Sequence, residues 1–243
     1  MKLLIDGDIV AYRIAIACEE AVEWEDNLWT LHCDADEVHT EIDNYLSWLK
    51  ELIDEATGRM TIALTGKDNF RKDVSSTYKA NRKNTRKPVC LKSARQHMTD
   101  HYDVRVYQNI EADDVLSMFS NEDSIIVSPD KDLRQVPGYH FIDGNLVKLE
   151  EEECMRWFYK QTLMGDSADN YKGCPGVGPV KADKILKEET DEKVLWGEVV
   201  NAFEKAGLTE EDAIENARLA YLLKDGDYNF ETKEVTLWQP PTQ

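Results

Sequence analysis

Short apolar runs that each stop at acidic residues limit most strongly how this chain can fold. Leu3-Leu4-Ile5 delivers Asp6-Gly7-Asp8, and Ser124-Ile125-Ile126-Val127-Ser128 delivers Asp130-Lys131-Asp132. Val104-Arg105-Val106-Tyr107 runs on to Glu111-Ala112-Asp113-Asp114, while Met60 to Leu64 and Tyr139-His140-Phe141-Ile142 supply two further runs of strand length. Between the first of these and Met60, Val38, Ile42, Tyr45, Leu46, Leu49, Leu52 and Ile53 recur with helical period. That spacing predicts a helix over residues 36–56, closed by Gly58. Strands alternating with helices predict an α/β fold, a central and mainly parallel sheet flanked by helices, with its sites at the carboxyl ends of the strands. Three of the four acidic clusters fall at that edge. From about residue 150 the pattern is mainly helical, with a last strand expected at Glu234 to Trp238. The expected division is an α/β core over 1–150, containing a basic segment at about 67–100, and a helical region over 151–243.

Carboxylates gathered at one edge repel each other, so a fold that collects them there requires cations. The ligands are hard oxygens with no accompanying His or Cys pattern, which points to magnesium or manganese and to chemistry on phosphate. Asp6 and Asp8 are two residues apart, so on an extended segment both would point to one side. Asp130 and Asp132 repeat that spacing. Asp166 and Asp169 share a face if their segment is helical. Glu111 and Asp114 lie i,i+3 at a helix start, where acids also complement the helix dipole.

The net charge of −19 argues against a polyanion partner only until its distribution is considered. Residues 19–55 carry thirteen Asp or Glu against Lys50 alone, whereas residues 67–95 carry ten Lys or Arg against Asp68 and Asp73. A basic strip on an acidic body can hold nucleic acid while the body repels it. Within the strip, Phe70-Arg71-Lys72, Tyr78-Lys79-Ala80-Asn81-Arg82-Lys83 and Arg86-Lys87 interleave aromatics with cations, which suits a strand both stacked upon and neutralised. Tyr12 and Arg13, about one turn past Asp8, should lie close to the acidic edge. Gly173-Cys174-Pro175-Gly176-Val177-Gly178, followed by Val180-Lys181-Ala182, resembles a helix-hairpin-helix turn spanning 166–187. There Gly176 and Gly178 let backbone amides approach a phosphate, and Lys181 adds charge. Five cysteines without ligand spacing, and no long apolar run, lead us to expect a reduced, cytoplasmic protein without membrane contact.

In order, DGD, FRxxxxxxYKxNR, EADD, PDKD, GDxxDN and GxxGxGxxKA resemble the flap endonuclease / 5′→3′ exonuclease family over residues 3 to 186. Asn69 to Lys72, Tyr78 to Lys83 and the tail from Tyr228 to Pro240 are most similar to the enzymes of short-tailed phages. The resemblance implies a PIN-like nuclease core and a metal-dependent phosphodiesterase acting at 5′ ends or branched 5′ structures of duplex DNA, with RNA–DNA hybrid as a further substrate. Carried over by motif, Asp6, Glu111, Asp113 and Asp130 would hold a first Mg2+ or Mn2+, and Asp132, Asp166 and Asp169 a second. Asp8 and Asp114 are additional acids of those motifs. Lys79 and Arg82 would act on the phosphate beneath an arch or gateway, and Tyr12 would stack on the terminal base. Arg13, Arg71, Tyr78, Lys83 and Arg86 would contact DNA, and the turn 173–182 would grip duplex phosphates with K+. The resemblance further implies a monomer acting, if phage-encoded, in the host cytoplasm. Many relatives carry an acid where this chain has Leu64-Thr65-Gly66, leaving Asp8 or Asp68 to replace it. The segment from Arg82 to Arg95 is short for a full arch, which favours an exonuclease over a flap-threading enzyme.

The expected chemistry is in-line attack by a metal-activated water, with two ions roughly 4 Å apart. Two rivals share some of these motifs. A haloacid-dehalogenase-type phosphatase would use Asp6 as nucleophile, and a catalytically impaired DNA-binding module would keep the hairpin and basic strip alone.

Overall fold

The computed structural model describes residues 1–53, 56, 58–187 and 189–242. Its centre is β1 (Lys2–Asp6), followed at once by α1 (Gly7–Ala17). A hairpin of β2 (Glu19–Glu23) and β3 (Trp29–Cys33) comes next, then α2 (Ala35–Leu52) and β4 (Met60–Leu64). The basic segment holds the single turn α3 (Arg71–Val74) and then α4 (Leu91–His101), which leads to β5 (Val104–Val106). After α5 (Ala112–Phe119) and β6 (Ser124–Val127), the hairpin of β7 (Gly138–Ile142) and β8 (Asn145–Leu149) completes the sheet. The remainder comprises α6 (Glu151–Met164), the two-residue strands β9 (Gly165–Asp166) and β10 (Tyr171–Lys172), α7 (Pro179–Leu186), α8 (Glu192–Lys205) and α9 (Glu210–Ala220).

The six-stranded sheet has the order β5-β4-β1-β6-β7-β8, parallel throughout except for β7 with β8. From β1 the chain proceeds first to one side, through β4 and β5, and then returns to β6 on the other. The carboxyl end of β1 is therefore the point where strand order reverses, the crevice in which open α/β sheets bind ligands. Asp6 is the residue standing there.

Strand periodicity divides the core between the two faces of the sheet. Leu3, Ile5, Ile62, Leu64, Ile125 and Val127 pack with α1, α2 and α4, while Leu4, Ala63 and Ile126 pack with α5 and the chain after α9. A further cluster unites α6 to α9 with Tyr78 and Trp238. On α2 the buried stripe is Val38, Ile42, Leu46 and Leu49, so most of its acids face water.

Several expectations are corrected. The helix predicted over 36–56 ends at Leu52, with Ile53 as its extended cap, and Gly58 does not close it; residues 54 and 55 lie outside the described residues. No strand forms at Glu234 to Trp238 beyond one isolated bridge between Tyr228 and Val235. The β2–β3 hairpin and β8 were not foreseen, because their half-exposed, charge-rich strands lack the apolar runs that marked the others.

Candidate metal-dependent active site

Asp6 ends β1 nearly buried, at 3% exposure. Its Oδ1 caps α1 by accepting from the Ile9 amide at 3.1 Å, and its Oδ2 accepts from the Ser128 hydroxyl at 3.0 Å. Ser128 reaches across from the end of β6, where the chain turns into Asp130, so the two neighbouring strand ends are tied at the switch point. Burial pushes the Asp6 carboxyl up to about 6 against these hydrogen bonds, and the charge of Asp130 adds to the rise. Asp113, in the first turn of α5, is held well above the usual carboxylate range by burial and then by Asp6, Asp130 and Glu111. Asp132 is raised to about 7 by burial and by Asp130, Asp169 and Asp166. These acids, drawn from β1, α5, the turn after β6 and the β9–β10 hairpin, share one electrostatic environment.

The outer carboxylates are engaged with protein donors. Glu111 forms an ion pair with Lys79 and accepts from the Tyr78 hydroxyl at 2.8 Å. Despite burial, Lys79 and Arg71 bring Glu111 down to about 2. Asp169 accepts from the same Tyr78 hydroxyl at 2.9 Å and from Arg82 at 2.6 Å, with Lys79 at 3.5 Å. Asp166 pairs with Lys131 at 2.7 Å and accepts from the amides of Ala168 and Asp169, which together hold it below its ordinary value against burial. Asp132 accepts from Gln161 at 2.5 Å, and Gln161 is fixed in turn by Gln135. Among the described residues, no three acids converge in ready-made ligating geometry, and these pairings explain why. By donor chemistry the set still fits a hard divalent cation: every candidate ligand is a carboxylate oxygen, and the inner ones raise one another's proton affinity.

Several expected site residues lie elsewhere. Asp114 is fully buried, and its two oxygens accept from Arg71 at 2.8 and 2.7 Å; it also caps its helix by accepting from the Glu111 amide at 3.1 Å. It is no metal ligand, and Arg71, 2% exposed, cannot meet DNA. Tyr78, 3% exposed, is likewise no stacking platform; it joins Glu111 of the core to Asp169 of the hairpin. Asp8 does not point with Asp6, because the strand ends between them. Its carboxylate accepts from the Thr65 amide at 2.8 Å and pairs with Arg95, so it cannot stand in for the missing acid. Asp68 is exposed. At Gly66 a Cβ would lie 1.8 Å from the Tyr107 carbonyl oxygen, so the backbone leaves no room for an acid there. Asp166 and Asp169 are brought together by the β9–β10 hairpin and not by a helix.

The remaining cations line the approach. Arg82 and Lys83 are exposed on a 3-10 turn, and Arg86 makes two bonds of 2.7 Å to Glu19 at the start of the β2–β3 hairpin. Tyr12, 39% exposed on α1, lies within the field of Arg86. The glycine turn is open: Gly176 has φ +72, side chains at Gly176 or Gly178 would meet nothing within 4 Å, and Lys181 reaches the Gly176 carbonyl at 3.3 Å. Gly178 caps α7, whose first position is Pro179. The bridging role of Tyr78 and the supports Ser128, Gln161 and Lys131 were missed from sequence; the only hint was their position beside acidic motifs.

Residues 1–161 match the family model described as 5′-3′ exonuclease, N-terminal resolvase-like domain. The chain belongs to that family. It is 29% identical to the exonuclease of Escherichia phage T7, over 98% of this chain and 93% of the relative. Identity to the exodeoxyribonuclease of Enterobacteria phage T3 is also 29%, over 98% and 92%. In fold it is similar to the bacteriophage T5 flap endonuclease solved with DNA and metal ions, with TM-score 0.64 and 15% identity over 91% of this chain and 89% of that one. T5 5′-exonuclease with bound divalent zinc gives the same TM-score of 0.64, at 15% identity over 90% and 89%. No helix among the described residues is long and apolar enough to cross a membrane.

Proposed function

We propose that this member of the 5′-3′ exonuclease family is a metal-dependent 5′→3′ exodeoxyribonuclease, hydrolysing phosphodiester bonds from 5′ ends of duplex DNA. The observation that carries the reading is the convergence of Asp6 from β1, Asp113 from α5 and Asp132 after β6 on the β1 switch point, each held above the ordinary carboxylate range by burial and then by neighbouring acids. The T7 and T3 relatives bear the names exonuclease and exodeoxyribonuclease. Asp6, Glu111, Asp113 and Asp130 would hold one divalent ion, and Asp132, Asp166 and Asp169 a second, with Mg2+ the natural ion and Mn2+ its substitute. When bound, such ions supply activation of the attacking water and stabilisation of charge on the reacting oxygens.

The protein's own residues would do the rest. Ser128 and the Ile9 amide hold Asp6 in one orientation, Gln161 holds Asp132, and Tyr78 sets Glu111 against Asp169. Lys79 and Arg82, now paired with acids, would exchange those partners for the scissile phosphate and stabilise its developing charge. Tyr12 would stack on the terminal base, and Arg13, Lys83 and Arg86 would guide the strand. The turn at Gly176, Gly178 and Lys181 would grip duplex phosphates with a K+ ion. Branched 5′ structures and RNA–DNA hybrids are further substrates of this reading, which places a monomer in the host cytoplasm.

A phosphatase using Asp6 as nucleophile finds no support: the family model and the T7 and T3 relatives are exonucleases, and that reading leaves the glycine hairpin and the basic strip without a role. Replacing Asp130 with Ala tests the proposal. Hydrolysis should fall by more than the about 10–100-fold typical of losing an outer-shell partner, while duplex binding persists. Cleavage at the wild-type rate would overturn the site.

A further inference from the structure

Beside Asp6, α1, α2 and the ends of β6 and β7 enclose a cavity of about 310 Å3. That volume lies at the lower end of ligand pockets, roughly 300–1,000 Å3. Its lining is mixed: Asp6 and Ser128, hydrogen-bonded to each other, with Arg13 and Asp143 supply its charged and polar groups, and Tyr45, Trp48 and Phe141 its aromatic ones.

Trp48 is not explained by the core. The buried stripe of α2 runs through Val38, Ile42, Leu46 and Leu49, and Trp48 stands off it, 49% exposed. Its ring is 5.7 Å from that of Tyr45, at 36°. A cavity lined by a half-open aromatic pair and a cation, and bordered by the acidic cluster, matches a nucleotide in size and polarity. Every base presents a π face, so such a surface accepts any of the four.

We propose that this cavity holds the released deoxynucleoside 5′-monophosphate once its base has left Tyr12, the base against Trp48 and Tyr45 and the phosphate towards Arg13. The assignment rests on the nuclease reading. It adds a binding site for the leaving deoxynucleoside 5′-monophosphate, separate from the grip on the remaining strand. Release of that nucleotide then becomes a step that the α1–α2 face controls, and the product competes with the next 5′ end.

The test is a titration of the full chain with 5′-dAMP in magnesium, following tryptophan fluorescence, alongside inhibition of duplex digestion. Saturable quenching by 5′-dAMP is expected, weaker with 3′-dAMP or deoxyadenosine. Trp48→Phe should abolish it, and Arg13→Gln should weaken binding by about 10-fold, the scale of one base stack or charged contact. Both side chains are substantially exposed, so neither change threatens the fold. Absence of saturable quenching in protein that digests duplex would overturn the site, as would quenching that Trp48→Phe leaves intact. Quenching at Trp48 without digestion would instead remove the nuclease reading and leave a nucleotide site.

Discussion

Arg71 and Asp114 form a two-bond ion pair with no access to water, Nη1 to Oδ2 at 2.8 Å and Nη2 to Oδ1 at 2.7 Å. The guanidinium also donates to the carbonyls of Leu219 at 3.1 Å and Tyr221 at 2.6 Å, and Asp114 accepts from the Leu223 amide at 3.2 Å. The pair therefore fastens the end of α9 to the basic segment and α5. Removing one partner leaves a buried charge unpaired, so Asp114→Ala or Arg71→Ala should each lower stability by about 3–5 kcal/mol. Denaturant unfolding measures this. A loss of activity at unchanged stability would return both residues to the active site.

Tyr78 has one hydroxyl proton between two carboxylates, and this contact links the core to the β9–β10 hairpin. Tyr78→Phe keeps the packing and removes the link. Because Tyr78 acts through Glu111 and Asp169, activity should fall about 10–100-fold, with part of the loss recovered at higher magnesium. A rate that falls without any change in the magnesium dependence would mean that the hydroxyl does not position metal-holding acids.

Asp6 at about 6 and Asp132 at about 7 lie above the ordinary aspartate value of about 3.9. Their neutral forms favour the folded state, so this stability is fully present below about pH 4 and is lost as pH rises through 6 and 7. A divalent ion takes the ionised carboxylates, so its binding strengthens as the protons leave. Melting curves with chelator and with magnesium, between about pH 5 and 8, should show a magnesium-dependent rise in Tm that grows with pH. A rise independent of pH would contradict this account of the inner acids.

Gly66 follows β4 in the Leu64-Thr65-Gly66 stretch, and the Tyr107 carbonyl lies where its Cβ would be. Gly66→Ala should destabilise the fold by about 1–3 kcal/mol, the usual cost of overpacking. Gly66→Asp should not raise activity. An aspartate variant with wild-type Tm and faster hydrolysis would show that the first ion lacks a ligand.

Much of the fold was legible because apolar runs of strand length stood out, two of them ending at acids, and Leu3 to Ile5, Met60 to Leu64 and Ser124 to Val127 became β1, β4 and β6, neighbours in the sheet. The candidate acids Asp6, Asp130 and Asp132 lie beside the ends of β1 and β6 for the same reason, since parallel strands present their ends together, whereas Asp113 was singled out by the family resemblance alone. Spacing misled where backbone changed state. Asp8 parted from Asp6 at the strand–helix junction, and Asp169 sits in the hairpin turn that Asp166 opens, its amide donating to the Asp166 carboxylate. Burial was the other blind spot: nothing local distinguishes the sequestered Arg71 and Tyr78 from the exposed Arg82 and Lys83 in the same basic strip. The supports Ser128 and Gln161 act across 122 and 29 residues of sequence, separations at which no motif operates.

The central claim is hydrolysis from 5′ ends, and a blunt duplex labelled at one 5′ end or, separately, at one 3′ end tests it most directly. With magnesium, the 5′ label should be released early as mono- or short oligonucleotides, the 3′ label should stay on long strands until late, and chelator should stop both. Tight retention of an intact duplex in magnesium, or early release of the 3′ label, would contradict it.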